Sequence, residues 1–444
     1  MGIKKTLIKN SFFNLGSYVY LLLAAFFSIP ILLKSLGSDL FGVYILLASI
    51  VPLVSALDFG LGNAVVRELS LPDFPKKDYI ATWRTSFWLF TVIGILLALA
   101  VFGFLRVIPH YWDIFRLINA HTLVNLSYII GLTVLFNHLN AHLLNLPQAR
   151  QQFEIFNLKT LLVGTGNTVV TAVASTLTKN IADLFLIQFI FHFLTFVFLV
   201  VYAKRIFSGW DFFPSLKKKT AARLTIFGLK NFAAALSGQF EAQASKYIIG
   251  AKASALAITA FSIPQNIMLK AAGVISQVAI AIFPTGTSLL TKDRMPKLTK
   301  LILLIESAIL AFGLIGILGA YAFGGQFLLW WLKNPAVVGL ATPVLRVLSF
   351  YLLLTALTPI PTVVLIGMNY PQVPSFFAVL TVAIEIVLLF VLVPSLQAVG
   401  AAYAVVGAAA ITVPSMLVVF WYLYRKQFRK IQSPAGIVFP PNLA

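Results

Sequence analysis

A lysine in the middle of SIPQNIMLKAAGVISQ serves no purpose in a helix that only fills lipid. Lys270 stands about fifteen residues from either end of an apolar run, too deep to reach an interface. A charge held near the middle of a bilayer costs about 2.5–3.5 kcal/mol by insertion scales, so charges kept there face a bundle interior or a wet cavity. Lys270 reads either as a cavity cation that receives an anionic group or as half of an ion pair with a neighbouring helix. Pro264, six residues earlier, is expected to kink that helix.

The segment FGLKNFAAALSGQFEAQASKYIIG is the most polar of the long apolar runs, with Lys230, Asn231, Ser237, Gln239, Glu241, Gln243 and Lys246. Lys230, Ser237, Glu241 and Ser245 follow at offsets of 7, 4 and 4, which places them near one helical face, and a helix so polar should line water. Glu241 either binds a coupling cation or neutralises Lys270 or Lys246, and Lys246 also reads as the outer end of its span. Glu385, alone among aliphatics in LTVAIEIVLLF, is a proton or cation site or an ion-pair partner. Glu306 lies close enough to the inner boundary to snorkel. Arg346 holds an anionic group near the exit or simply reaches the interface.

Two further stretches carry polar chemistry. LFNHLNAHLLNLPQAR sets His138 and His142 four apart among Asn137, Asn140 and Asn145. That spacing can hold zinc, but no third ligand, no general-base glutamate and no cysteine accompanies it, so a polar patch that contacts a sugar or headgroup is expected and a metal is not. Asn10, Asn137, His138 and Gln239 form the expected polar lining. In LDFGLGNAVVRELS, Asp58 precedes Gly60 and Gly62, which loosen the helix around it. Asp58 caps the restarted turn by accepting from N–H groups two or three residues on, or it binds a cation. Arg67 is expected at the inner headgroups.

The elements that must position these residues follow from composition. The 444 residues are 60% hydrophobic and 10% charged with a mean hydropathy of +0.94, far from soluble composition. Apolar runs long enough to span the bilayer recur near 11–33, 41–66, 82–105, 120–145, 156–178, 181–202, 225–249, 255–286, 300–323, 341–367, 373–394 and 399–424. The expected fold is therefore all-α and polytopic, with about twelve transmembrane helices. MGIKK precedes a run too long for a signal peptide, so the first helix is read as retained. The chain has no cysteine, which excludes disulfides and thiolate metal sites.

With the N-terminus inside, 24 lysines and arginines fall at inner helix ends against 7 at outer ends, with Lys270 and Arg346 within spans. The positive-inside rule thus places both termini in the cytoplasm. The net charge of +20 is spread over ends that face anionic lipid, which argues for membrane lipids and against nucleic acid as partners. The longest polar interruption, 203–224, divides the chain into lobes of six helices expected at 1–210 and 211–430, with a disordered cytoplasmic tail at 431–444. Six is even, so the halves would be parallel repeats. Faint echoes, IKN at residue 8 against LKN at 229 and LASI against AFSI, agree with this.

The run LKSLGSDLFGVYILLASIVPLVSALDFGLGNAVVREL resembles the start of polysaccharide exporters in the multidrug/oligosaccharidyl-lipid/polysaccharide superfamily. Leu36, Gly37, Phe41, Gly42, Tyr44, Asp58, Gly60 and Arg67 carry the likeness, and IAIFPTGTSLL, ending at Leu290, is similar to a second family segment. The resemblance implies a V-shaped, two-lobed flippase of the bacterial cytoplasmic (inner) membrane, without enzymatic activity or cofactor. It would move a polyprenyl-pyrophosphate-linked oligosaccharide, such as an O-antigen repeat unit, to the outer leaflet by alternating access coupled to H+ or Na+ influx. Lys270, Lys230, Arg346 and Lys246 would then meet phosphate, with Asp58, Glu241 or Glu385 as coupling-cation sites. Glycosyltransferases and a polysaccharide polymerase would be the partners. A drug exporter of the same superfamily should show more carboxylates than cations in its spans, a lipid II flippase normally has fourteen helices, and a polytopic polymerase or ligase would carry a large outer loop.

Overall fold

The computed structural model describes residues 3–72, 75–207, 213–288 and 295–432, and among them the chain is helical with no strand. Lipid offers backbone groups no partners, so each spanning segment must satisfy its own hydrogen bonds as a helix. The helices are α1 (Ile3–Leu36), α2 (Ser38–Ala48), α3 (Ile50–Ser55), α4 (Leu61–Leu69), α5 (Lys76–Val107), α6 (Ala120–Ala149), α7 (Phe153–Thr165), α8 (Thr171–Leu177), α9 (Ile181–Lys204), α10 (Lys218–Lys252), α11 (Ala255–Ser288), α12 (Met295–Leu332), α13 (Pro335–Ala356), α14 (Pro359–Gly367) and α15 (Gln372–Gln432). A π turn at Gly166–Val170 joins α7 to α8. Three asparagines start helices by the same device. The side chains of Asn119, Asn180 and Asn334 accept from Thr122, Ala182 and Val337 N–H at 2.7, 3.1 and 3.2 Å and so cap α6, α9 and α13.

A helix or a run of helices covers each of the twelve expected spans, and nine stretches among the described residues are long and apolar enough to cross a membrane. One of these, 372–428, holds two spans. Gln397 breaks it at φ 48° and ψ −124°, and the Thr381 hydroxyl donates to the Thr412 hydroxyl at 2.7 Å, so the two arms of α15 lie side by side as a hairpin. The expected second span is interrupted between α3 and α4, and the tenth before Pro359 at residues 357–358, where proline lacks the donor the helix needs. α10 and α11, at 35 and 34 residues, supply the remaining two spans.

The chain separates into two compact units, residues 1–259 with 331–333 and residues 260–330 with 334–444. In the first, Trp83, Phe90, Leu61, Val65, Leu143, Leu146, Leu199 and Leu224 form a core joining α4, α5, α6, α9 and α10. The family-like residues near its start are packing devices. A Cβ on Gly42 would lie 2.0 Å from the Ala255 carbonyl oxygen, so only glycine lets α2 touch the start of α11. Buried Tyr44 receives a hydrogen bond from Gln188 at 2.8 Å.

In the second unit, Ala398, Ala401, Ala402, Ala404, Ala408 and Ala409 are buried along α15. Small residues let helix backbones approach closely, which is how helices pack where lipid is as apolar as the side chains. α12 shows Leu304, Phe312, Ile315, Leu318 and Phe323 to the outside, a lipid-facing surface in a chain of this composition. The expected tail at 431–444 lies almost wholly outside the described residues.

Candidate functional site

The second expected span is where the first unit departs most from regular helix. Phe59 and Gly60 take positive φ, 54° and 70°, between the end of α3 and the start of α4. Such a conformation costs an ordinary side chain about 1–2 kcal/mol, so glycine at the second position is required by the backbone. Asp58 holds the break together: one carboxylate oxygen accepts from Gly60 N–H at 2.8 Å and the other from Gly62 N–H at 3.2 Å. Gly62 does not loosen the chain, as its sequence position suggested. It is helical, and a Cβ there would lie 3.1 Å from the Asp58 carboxylate and 3.5 Å from the Asn145 amide oxygen, so its missing side chain makes room for both.

Side chains of α6 approach the break. The Asn137 amide donates to the Ser55 hydroxyl at 2.6 Å. Asn145 and His138 are buried, and Asn145 Nδ2 and His138 Nε2 find no hydrogen-bond partner in the protein. His138 engages only the Val134 carbonyl, at 3.1 Å. Behind them His142 is fully buried against Trp83, Phe87 and Phe90, with ring centroids 4.2, 5.2 and 5.5 Å away. Asn140 donates to the His192 carbonyl at 2.9 Å. Buried polar atoms are nearly always paired, so the unmatched Asn145 amide nitrogen and His138 ring nitrogen near this break call for a small polar partner such as water. No group of three or more His, Cys, Asp or Glu side chains that could hold a metal occurs among the described residues.

α10 clasps the break from outside. A Cβ on Gly228 would lie 2.5 Å from the Phe59 carbonyl oxygen, and one on Gly60 2.2 Å from that of Gly228, so backbone meets backbone. On the same face of α10 the Phe232 ring lies 5.0 Å from Phe59, and the Arg67 guanidinium sits 4.6 Å over Phe227. Arg67, expected at the headgroups, is therefore engaged by α10. One turn further, Arg223 grips Glu68 with two nitrogens at 2.6 and 2.9 Å while Thr82 donates to the same carboxylate at 2.9 Å. Glu68 and Arg223 were not singled out in the sequence. Their separation of 155 residues carries no local signal, and the only hint was an acidic residue placed directly after Arg67.

The remaining candidates are distributed between the units. In the first, Lys246 is buried with its ammonium on the Gln243 amide oxygen at 2.7 Å, and Gln239 and Glu241 are half-buried on α10. In the second, Glu385 is buried in the first arm of α15 and Lys270 is half-buried on α11. Arg346 of α13 donates to the Tyr321 carbonyl at 3.1 Å and lies 5.4 Å over the Tyr321 ring. Asn10 and Lys230 fall on α1 and α10, and their side chains lie outside the described ones. Within the first unit, Asn137 reaches the end of α3 through Ser55 and Asn145 lies across Gly62 from Asp58, while Lys246 is held on α10 by Gln243.

Residues 31–322 match the model of a family described as polysaccharide biosynthesis protein. Comparison of the sequence with curated proteins finds no match. Among solved structures, the chain is similar to an inward-closed lipid II flippase MurJ, with a TM-score of 0.69 and 13% identity over 96% of this chain and 90% of that one. It is also similar to an inward-facing multidrug resistance MATE family transporter of the MOP superfamily, with a TM-score of 0.67 and 14% identity over 94% and 96%. A MOP superfamily transporter from Pyrococcus furiosus, described by a reversed polarity of its binding pocket, aligns with a TM-score of 0.59 and 14% identity over 97% of each chain. At these identities the likeness establishes a shared all-helical fold.

Proposed function

We infer that this chain, which belongs to the polysaccharide biosynthesis protein family, is a flippase for polyprenyl-pyrophosphate-linked oligosaccharides. The observation that carries this reading is the family match over residues 31–322 on a fold shared with a lipid II flippase. The chemistry agrees. A pyrophosphate head cannot cross hydrocarbon unaided, and cations retained in spans lower that barrier for an anion. Lys270 and Lys230, with Arg346 and Lys246 in support, receive phosphate, while the prenyl tail remains in lipid. The chain lies in a bacterial inner membrane with both termini cytoplasmic, in keeping with its basic inner helix ends.

Asp58 is the preferred coupling site, ahead of Glu241 and Glu385, because it sits at a helix break with the buried Asn145 across Gly62. Entry of a proton or sodium ion there gains up to about 2.3 kcal/mol per 100 mV, enough to assist outward movement of the anion. In proteoliposomes, a fluorescent lipid-linked oligosaccharide should become accessible outside only when an inward H+ or Na+ gradient is applied. Lys270→Ala should abolish that movement. Extrusion of organic cations with no movement of the lipid-linked sugar would make the chain a drug exporter instead.

A further inference from the structure

The second unit contains a cavity that the transport reading does not use. It has a volume of about 430 Å³ and lies between the first turns of α12 and the last turns of α15, lined by Thr299, Leu303, Trp421, Tyr424, Arg425 and Phe428. The residues come at helical spacing, 299 and 303 on one helix and 421, 424, 425 and 428 on the other, so two facing stripes form a groove. Its floor is fixed. Tyr424 is buried in a cluster with Leu298, Ile302, Leu365 and Phe420, and its hydroxyl and that of Thr299 are 2.9 Å apart. Its mouth is charged: Arg425 is exposed, and Lys297, Lys300 and Lys426 are exposed on the same helical turns.

We propose that this groove binds the headgroup of an anionic glycerophospholipid of the phosphatidylglycerol class. The lining is graded as such a lipid is graded. Arg425 presents a planar donor fork to a phosphodiester, which a guanidinium recognises better than an ammonium does. The hydroxyl pair of Thr299 and Tyr424 gives the lining oxygens whose lone pairs can accept from a glycerol. Trp421, one turn deeper than Arg425, is the amphipathic residue suited to the depth of the ester linkages, and Phe428, one turn further out, flanks the headgroup. Below them Leu303 and Leu304, 50% and 66% exposed, continue as an apolar ridge of α12 along which acyl chains can lie. The one guanidinium in the lining itself matches the single charge of a phosphodiester.

The test is independent of transport. The purified full-length protein, titrated with phosphatidylglycerol, phosphatidylethanolamine and undecaprenyl phosphate, is examined by native mass spectrometry. One phosphatidylglycerol should be retained at concentrations where phosphatidylethanolamine is lost. Arg425→Ala should weaken that retention about tenfold, in line with loss of a charged hydrogen bond. Lys426→Ala, which removes an equal charge outside the lining, should change it less than twofold. Arg425 is exposed, so its truncation spares the fold; were that variant not recovered, the preference between the two phospholipids in the wild type decides alone. Equal retention of both phospholipids, an unaffected Arg425→Ala protein, or preferential retention of undecaprenyl phosphate would each overturn the proposal.

Discussion

Around the helix break of the first unit, backbone touches backbone, a carboxylate caps a restarted helix, and a bidentate ion pair ties α4 to α10. The second unit is built the other way. Its α15 buries a run of alanines, Gly316 and Gly319 of the lipid-facing helix α12 have open space around them, and a hydroxyl pair joins the two arms of α15. The contrast teaches where each unit keeps its specificity. In lipid, apolar contact between helices gains little over apolar contact with acyl chains, so a unique arrangement needs either close small-residue packing or polar groups with fixed partners. Around the Asp58 break the first unit combines the two, glycine contact and polar groups with fixed partners; the second unit relies mainly on small-residue packing.

The largest effect should come from the crossing of α4 and α10. Gly228→Leu drives a side chain into the Phe59 carbonyl, 2.5 Å from where the first carbon would sit. Backbone cannot yield there without moving the break, so we expect a loss of about 3 kcal/mol or more, read as a sharply lowered midpoint in thermal unfolding in detergent. The matched control is Gly316→Leu on α12, where nothing lies within 4 Å; it should leave the midpoint unchanged or slightly raised. Equal sensitivity at the two sites would erase the distinction between the units.

Next in size is the ion pair. Glu68 is almost fully buried while the Arg223 side chain is 52% exposed, so the pair is worth less than an interior one, whose rupture costs about 3–5 kcal/mol. A double-mutant cycle with Glu68→Ala and Arg223→Ala should give a coupling of about 1–2 kcal/mol in the same unfolding assay. A coupling near zero would mean that glycine contact alone holds α10 to α4. Glu68→Gln should fall between, since an amide keeps the Thr82 contact and loses the charge.

These expectations rest on features of unequal visibility in the sequence. The spans were legible because apolar runs report burial in lipid directly, and the sequence placed Asp58 beside a backbone irregularity because an aspartate followed by glycine has few other uses in a span. What hydropathy does not report is which neighbour a residue faces. Gly228 lies in FGLKN, in no turn, and its role comes from a chain segment some 170 residues away. Gly62 read as a helix breaker and is instead space for Asp58 and Asn145. Gln397, whose φ of 48° makes the hairpin, resembles any polar loop residue. Asn137, His138 and Asn145 were visible as a polar crowd, but their approach to α3 and α4 was not, because a helix with polar residues on several faces does not declare which face turns inward.

Asp58 itself gives a smaller and sharper test, because cap and coupling carboxylate separate by substitution. Asp58→Asn keeps an oxygen for an N–H of the break and should alter stability by only a few tenths of a kcal/mol, whereas Asp58→Ala should cost about 1 kcal/mol. If the carboxylate also couples transport, both variants lose gradient-driven movement of the lipid-linked sugar in proteoliposomes, and stability and transport part company in the asparagine variant. Full transport by Asp58→Asn would reduce the residue to a cap and move the coupling role to Glu241 or Glu385.

The smallest effect belongs to the second unit and asks whether its hairpin needs polar glue. Thr381 and Thr412 meet at 2.7 Å, and each hydroxyl also bonds a carbonyl one turn back on its own arm, at 2.8 and 2.9 Å. Each donor therefore has a partner even without the other threonine, so the cross-arm bond adds little beyond local satisfaction. Interhelical hydrogen bonds in membranes average about 0.6 kcal/mol, because the separated helices find other partners. Thr381→Val with Thr412→Val keeps shape and removes both hydroxyls, and should shift the unfolding midpoint by no more than that energy implies. By contrast, Ala401→Leu, at a fully buried position of the same hairpin, should cost about 1–3 kcal/mol by overpacking. The reverse order, with the valine pair more damaging than the leucine, would place a polar lock in the second unit as well and remove the asymmetry between the two.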